Sequence, residues 1–431
     1  MRHAFLIATT VTLLHFSDYH SHALPFYSEE GSDRGGFARA IGYLGRHKQD
    51  GALVFSGGDM MNKGAPAWSD RYRCAEWKWL NGIVDAMAFG NHEADYGYAD
   101  FARCRDASSF PVLSANTAGF PPSTVLETDG LRIGVFAVAG PDFPSLVRVP
   151  ELRFGDPVAA ARETVRALRE DAKVDVVVLI GHEHGADDFE LARAVPGIDL
   201  IFGTHSHLRQ ELTQIPGTKT WFISSGQYLT WISRVEMTFE EGALSQVRGR
   251  LIPVDSRMRA NRTIAARLDA MQKDLVRDPS YRDLFVRQAT LPAAMPADRL
   301  GQLAVDLMRE AADADLAIST RSSFRKPLPP GPIDMETLQG ALPYDNEIVV
   351  AELPGRRVRE LLQYASTRDG DSASYTSGSA DGERVRVATT DYLALVASGY
   401  RDFFAGATVT RTGVRVREQV RKHLAAGAAA P

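Results

Sequence analysis

The chain has 431 residues, 44% of them hydrophobic and 24% charged, with a formal net charge of −5. That length exceeds one ordinary core and favours two domains. The charge leaves no basic footprint for nucleic acid, and no apolar run of about 18 residues is present to span a membrane.

The N-terminal stretch MRHAFLIATTVTLLHFSDYHSH joins a positive start to an apolar run, faintly in the manner of a signal peptide. The run leads straight into His15, Asp18 and His20 without a clearly placed small-residue cleavage site, so it reads as no clear signal peptide. Short apolar runs rich in branched residues then recur: VTLLHF (11–16), GALVFS (51–56), DAMAFG (85–90), FPVLSA (110–115), LRIGVFAVAG (131–140), VDVVVLIG (174–181), IDLIFG (198–203) and TWFISSG (220–226). Each stops at Gly, Ser, Ala or a polar residue, as a buried strand stops at a loop. Helical patterns such as GGFARAIGYLGRHKQ and DPVAAARETVRALREDA lie between several of them. Alternation of this kind predicts an α/β layer architecture over residues 1–255.

Residues 256–290 read as a charged connecting helix, and 291–431 as a second α/β region. The second region is expected to hold the helix ADRLGQLAVDLMREAADA and the strands DLAIS, EIVVAEL and RVRVATTDYLAL. TRDGDSASYTSGSADGE (367–383) reads as a surface loop, and the C-terminal AAGAAAP as a frayed end. Cys74 and Cys104 allow one disulfide or two separate thiols, and two cysteines alone do not choose between these.

In the first region nearly every strand-like run ends in a residue able to bind a metal. HFSDYH offers Asp18 and His20, and FSGGD offers Asp59. FGNHEAD offers Asn91, His92 and Asp95, LIGHEH offers His182, and FGTHSH offers His205 and His207. Alone, an Asp-x-His pair or a Gly-Gly-Asp is usually a turn. Five such groups in order at strand ends point instead to one shared site, because the loops at one rim of an α/β sheet converge. Carboxylate, carboxamide and imidazole together suit divalent ions such as Mn²⁺, Zn²⁺ or Co²⁺.

DYH, GGD, GNHEAD, GHEHG and GTHSH resemble the five-block signature of the calcineurin-like metallophosphoesterases, in their 5′-nucleotidase and UDP-sugar hydrolase branch. RGGFARAIGYL and VLSAN resemble that branch's next helix and strand, and residues 299–355 resemble the start of its C-terminal domain. The resemblance implies a four-layer αββα sandwich followed by a smaller α/β substrate domain. It also implies two divalent ions, one held by Asp18, His20 and His207 and the other by Asn91, His182 and His205, with Asp59 bridging. His207 stands where some members carry Gln. The implied reaction is hydrolysis of a phosphate ester, most readily of a nucleotide, by a metal-bridging hydroxide. His92 would aid the leaving group, and Asp95 would orient His92. The resemblance further implies a periplasmic or secreted setting. Asn116, Arg325 and Tyr400 match family positions near phosphate, nucleotide and base, but the residues around Arg325 and Tyr400 depart from the family pattern. GGDMMNKGAPAW also resembles the thiosulfohydrolase relatives, so a sulfur-ester hydrolase is one alternative and an inactive metal-binding module another. His92 speaks against the first alternative, and the full ligand set against the second.

Overall fold

A computed structural model describes residues 8–368 and 373–427. The chain divides into two compact units, residues 8–26, 33–63 and 68–271 in the first and 27–32, 64–67 and 272–427 in the second. The division falls inside the helix Arg262–Arg277, which occupies part of the expected connecting segment. Among the described residues no helix is long and apolar enough to cross a membrane.

The first unit is built on two six-stranded sheets. In one, the strands Thr9–Phe16, Leu53–Ser56, Ala86–Ala88 and Val112–Leu113 run parallel, in chain order. In the other, Leu131–Phe136, Val176–Leu179, Leu200–Gly203 and Trp221–Ser225 do the same. Alternation along the strands sets the layers. Ile133, Val135, Val176 and Val178 pack between the sheets against Leu13, Phe55 and Ala88. Their neighbours Phe136, Val177 and Leu179 pack outward against Ala161 and Val165 of the helix Pro157–Arg166. Strands buried on both faces read as continuous apolar runs, which is why they stand out in the sequence. That helix begins where DPVAAAR predicts, with Pro157 in its first turn and the Asp156 side chain accepting from Ala159 N at 2.6 Å. On the other side, the helix Phe37–Gln49 buries Phe37, Ile41 and Leu44. The result is the expected αββα order of layers.

The hairpin Trp231–Glu240 and Ala243–Pro253 completes the first sheet at one edge. Much of its second strand is exposed, so it carries no continuous apolar run and is absent from the expected strands. Cys74 and Cys104 form a disulfide, closing the alternative left open by their number.

The second unit holds a five-stranded mixed sheet, in the order Ser374–Gly378, Leu316–Thr320, Arg384–Thr390, Glu347–Pro354 and Val409–Arg415. One face packs Ala317, Ile348 and Val350 against the helices Ala297–Ala311 and Val416–Ala425. The other packs Ile318, Val349 and Val387 against Gly355–Ser366. Two expectations are corrected here. The expected loop over 367–383 contains the strand Ser374–Gly378, whose residues pair with Leu316–Thr320 although the sequence there is small and polar; residues 369–372 lie outside the described residues. The expected strand RVRVATTDYLAL ends at Thr390, whose hydroxyl caps the helix Asp391–Leu395 by accepting from Leu393 N at 3.1 Å. The last four residues of AAGAAAP also lie outside the described residues.

Candidate metal centre

The parallel strands of both sheets deliver their C-terminal loops to one place. Asp18 and His20 follow Thr9–Phe16, Asp59 follows Leu53–Ser56, and Asn91 and His92 follow Ala86–Ala88. His182 follows Val176–Leu179, and His205 and His207 follow Leu200–Gly203. Five of these residues adopt left-handed backbone: Asp18 (φ 51°), His20 (46°), Asp59 (52°), His205 (57°) and His207 (54°). Such conformations cost of order 1–3 kcal/mol each in a residue with a Cβ, and they cluster where a site over-determines them.

Side-chain atoms of Asp18, His20 and His207 lie within 4.8 Å of one another, and so do those of Asp59, His182 and His205. Asp59 Oδ2 is 3.2 Å from His182 Nε2 and 3.7 Å from His20 Nε2, so it stands between the two groups. Asp18 Oδ1 is 3.5 Å from His207 Nε2 and 3.9 Å from both His20 Nε2 and His182 Nε2. The His182 Nδ1 atom is 2.6 Å from the Gly57 carbonyl, which fixes the tautomer and turns Nε2 inward. Burial opposes charge on both Asp59 and His182, yet their mutual attraction prevails. Asp59 is held well below the usual carboxylate range, helped by His92, and His182 is pushed up to about 10. The buried carboxylates thus draw positive charge to this point. Asp18 Oδ1 and Asn91 Oδ1 are buried and accept no hydrogen bond, although a buried acceptor without a partner costs about 1–3 kcal/mol. Both are hard oxygen donors, Asp18 within the cluster of imidazoles and Asn91 beside His92, and carboxylate, carboxamide and imidazole together fit borderline divalent ions.

Glycines make the approach possible. A Cβ on Gly57 would overlap the Thr204 methyl and sit 2.5 Å from Ser17 Oγ. Gly58 takes φ +88°, and a Cβ there would be 2.8 Å from Ala88 O and Gly90 N. Glu93, fully buried, ties the second and third loops together by accepting from Asp59 N (3.0 Å), Met60 N (2.6 Å) and Gly90 N (2.7 Å). In the sequence, only its place within GNHEAD marks Glu93.

His92 and Asp95 meet directly, Nδ1 to Oδ2 at 2.7 Å, and Asp95 Oδ2 also accepts from Lys63 N at 2.8 Å. The His92 ring lies edge-on to His20 with centroids 5.0 Å apart. A further group was missed in the sequence. Asp142 Oδ2 is 3.0 Å from His205 Nε2 and 3.4 Å from His184 Nε2. Against burial, these two imidazoles hold the Asp142 carboxyl well below its usual range. Its signal was the strand end VAGPD, which no motif marks.

Of the three expected substrate residues, Asn116 lies in the first unit and Arg325 and Tyr400 in the second. Asn116 spends its carboxamide on the backbone: Nδ2 donates to Ala139 O (2.8 Å) and Gly155 O (3.0 Å), and Oδ1 accepts from Ala139 N (2.8 Å). It ties strand ends together and directs neither end of the amide outward. In the second unit, Arg325 Nη2 donates to the hydroxyl of the exposed Tyr344 at 2.8 Å. Tyr400 is only 3% exposed, packed edge-on against Tyr364 with centroids 5.2 Å apart. Its ring is part of an apolar cluster.

Residues 11–209 match the calcineurin-like phosphoesterase family, and residues 285–392 match the 5′-nucleotidase C-terminal domain. Protein UshA of Yersinia enterocolitica is 24% identical over 502 residues, spanning 96% of this chain and 90% of its own. The 5′-nucleotidase precursor of Thermus thermophilus superposes with a TM-score of 0.78 at 22% identity, over 97% of this chain and 96% of that one. The sulfate thiohydrolase SoxB of Thermus thermophilus, in complex with glycerol, gives a TM-score of 0.75 at 17% identity, over 97% and 94%. Residues 11–209 therefore belong to the calcineurin-like phosphoesterases and residues 285–392 to the 5′-nucleotidase C-terminal domain, and this pairing places the chain in the 5′-nucleotidase branch as a hydrolase of phosphate esters.

Proposed function

We propose that the protein hydrolyses the phosphate ester of a nucleotide at a centre of two divalent ions. Asp18, His20 and His207 would hold one ion and Asn91, His182 and His205 the other, with Asp59 between them. The observation that carries this reading is Asp59 Oδ2, which stands 3.7 Å from His20 Nε2 of one group and 3.2 Å from His182 Nε2 of the other, on loops of both sheets. When bound, such ions supply Lewis acidity toward the phosphoryl oxygens and bring the pKa of water toward neutrality.

The chain's own groups have separable tasks. Asp95 takes the Nδ1 side of His92 at 2.7 Å, which leaves Nε2 to carry a proton to the departing oxygen or to hydrogen-bond the phosphoryl group. The Asp95 carboxylate is itself held by Lys63 N, so the imidazole is oriented before substrate arrives. Glu93, by binding three amides of the Asp59 and Gly90 loops, keeps Asp59 in its left-handed conformation. Nucleotide as substrate class is supported by the 5′-nucleotidase names of relatives and by the C-terminal domain match. In that domain Arg325 stands against the exposed ring of Tyr344; we assign neither Tyr400 nor Asn116 a direct contact with substrate.

SoxB shares the fold nearly as closely as the nucleotidase precursor does, so the fold does not separate the two chemistries. The test is product release with Mn²⁺ from AMP, UDP-glucose, a 2′,3′-cyclic nucleotide and p-nitrophenyl phosphate, beside a thiosulfate ester. Metal-dependent turnover with nucleotides preferred is the expected result. Turnover of the thiosulfate ester alone would overturn the nucleotide reading in favour of sulfur-ester hydrolysis.

A further inference from the structure

We infer that Asp142 is a positioning residue for the proposed two-ion centre, acting through His205: its carboxylate accepts the Nε2–H and so turns the Nδ1 lone pair to the cluster formed with Asp59 and His182. The inference rests on the two-ion reading above and adds a residue that neither the motif blocks nor their spacing contains.

Asp142 Oδ2 and His205 Nε2 are 3.0 Å apart, with side chains 22% and 10% exposed. A carboxylate in that relation to a metal-binding imidazole selects one tautomer, fixes the ring plane and raises the basicity of the other nitrogen. The backbone delivers Asp142 to this position. Past the strand Leu131–Phe136 the chain continues alongside His182, with His182 N donating to Val138 O at 2.8 Å and Gly140 N donating to His182 O at 2.9 Å. It then turns, as Ser145 N and Leu146 N donate to the Asp142 carbonyl at 2.9 and 3.2 Å. The next ring, Phe143, is fully buried and packs against His182 and His205 with centroids 5.8 and 6.1 Å apart. Gly140 provides the space, since a Cβ there would stand 3.0 Å from Asp142 Oδ1 and 3.2 Å from the Glu183 side chain. The same segment therefore positions both His182 and the partner of His205.

His184 also faces Asp142 Oδ2, but at 3.4 Å and with 38% of its side chain exposed. Asp142, His184 and His205 together could accommodate an ion of their own. That arrangement would require His205 Nε2 as a ligand rather than as a donor to Asp142, so the two readings predict different ion counts.

The experiment measures Mn²⁺ stoichiometry by elemental mass spectrometry and each Kd by chelator competition. It compares wild type, Asp142→Ala, Asp142→Asn, His184→Ala, His205→Ala and the double variant Asp142→Ala/His205→Ala, with thermal unfolding in parallel. Wild type is expected to bind two ions. Asp142→Ala should weaken one of them by about 10–100-fold and leave the other within about twofold, the usual loss when such an outer partner is removed. In the His205→Ala background, Asp142→Ala should add no further loss, because the residue through which it acts is gone. Asp142→Asn, which keeps the shape, carries the test if the alanine variant does not fold. Unchanged affinities in the Asp142 variants, or an equal loss in the His205→Ala background, would overturn the inference and leave the two-ion reading standing. A wild type that binds fewer than two ions would overturn both. A third ion lost in His184→Ala would also overturn the inference, by making Asp142 a direct ligand.

Discussion

Gly90→Ala tests how the centre is assembled. Gly90 has no left-handed φ, so the substitution should by itself stabilise by roughly 0.4–1 kcal/mol through reduced unfolded-state freedom. The surroundings reverse that sign. The new Cβ would overlap Asp59 Oδ1 and sit 2.5 Å from both Asp59 N and Glu93 Oε2. None of these atoms can move without loss. Asp59 Oδ1 accepts from His92 N at 2.8 Å, and Glu93 holds three amides. Breaking one or two hydrogen bonds to a charged acceptor, at about 1.5–3 kcal/mol each, and deducting the entropic gain leaves a net loss of about 1–5 kcal/mol. At about 2–4 °C per kcal/mol, Tm falls by about 2–20 °C. Thermal unfolding should register the drop, and elemental analysis a loss of bound Mn²⁺, since Asp59 stands between the two proposed ligand groups. A variant as stable as wild type that still binds two ions would refute the role assigned to the Gly90–Glu93–Asp59 packing.

On the proposed role of His92 in the reaction, His92→Ala should lower kcat by about 10²–10⁴-fold with unchanged metal content; a lost ion in that variant would refute the assignment, since His20, Asp59 and His92 also lie close enough to hold one. Glu76, fully buried and accepting from the hydroxyl of Tyr19 at 2.9 Å and from the Trp68 indole, is raised by burial from 4.5 to about 6. The native state then holds its proton to higher pH than the unfolded chain, so its contribution is full below pH 4.5 and is lost as pH rises through 6. Glu76→Gln should flatten that part of the stability–pH curve, worth about 2 kcal/mol; denaturant unfolding at pH 4.5, 5.5 and 7 measures it, and an unchanged slope would count against the burial effect. Removing the Cys74–Cys104 link, which spans 30 residues, by Cys74→Ser with Cys104→Ser should cost about 3–4 kcal/mol on the chain-entropy argument, read as a lower denaturant midpoint.

Sequence and structure divide the account along physical lines. The buried parallel strands were legible because both faces are covered and the run is mostly apolar, as in VVVL over Val176–Leu179. The loops of the candidate centre were legible because each is a local run placed at a strand end, so DYH, GGD, GNHEAD and GTHSH announce themselves without the fold. The half-exposed hairpin over 231–253 and the polar strand Ser374–Gly378 were not, since their stability comes from pairing with distant strands and not from their own composition. Tertiary structure alone decided the rest. It set Tyr400 in an apolar cluster and the Asn116 carboxamide on the backbone. It also joined Cys74 to Cys104, and brought Asp142 within 3.0 Å of a histidine 63 residues away. A short motif records which chemistry a loop can offer. Which group orients it depends on the packing of two sheets, and no local pattern records that.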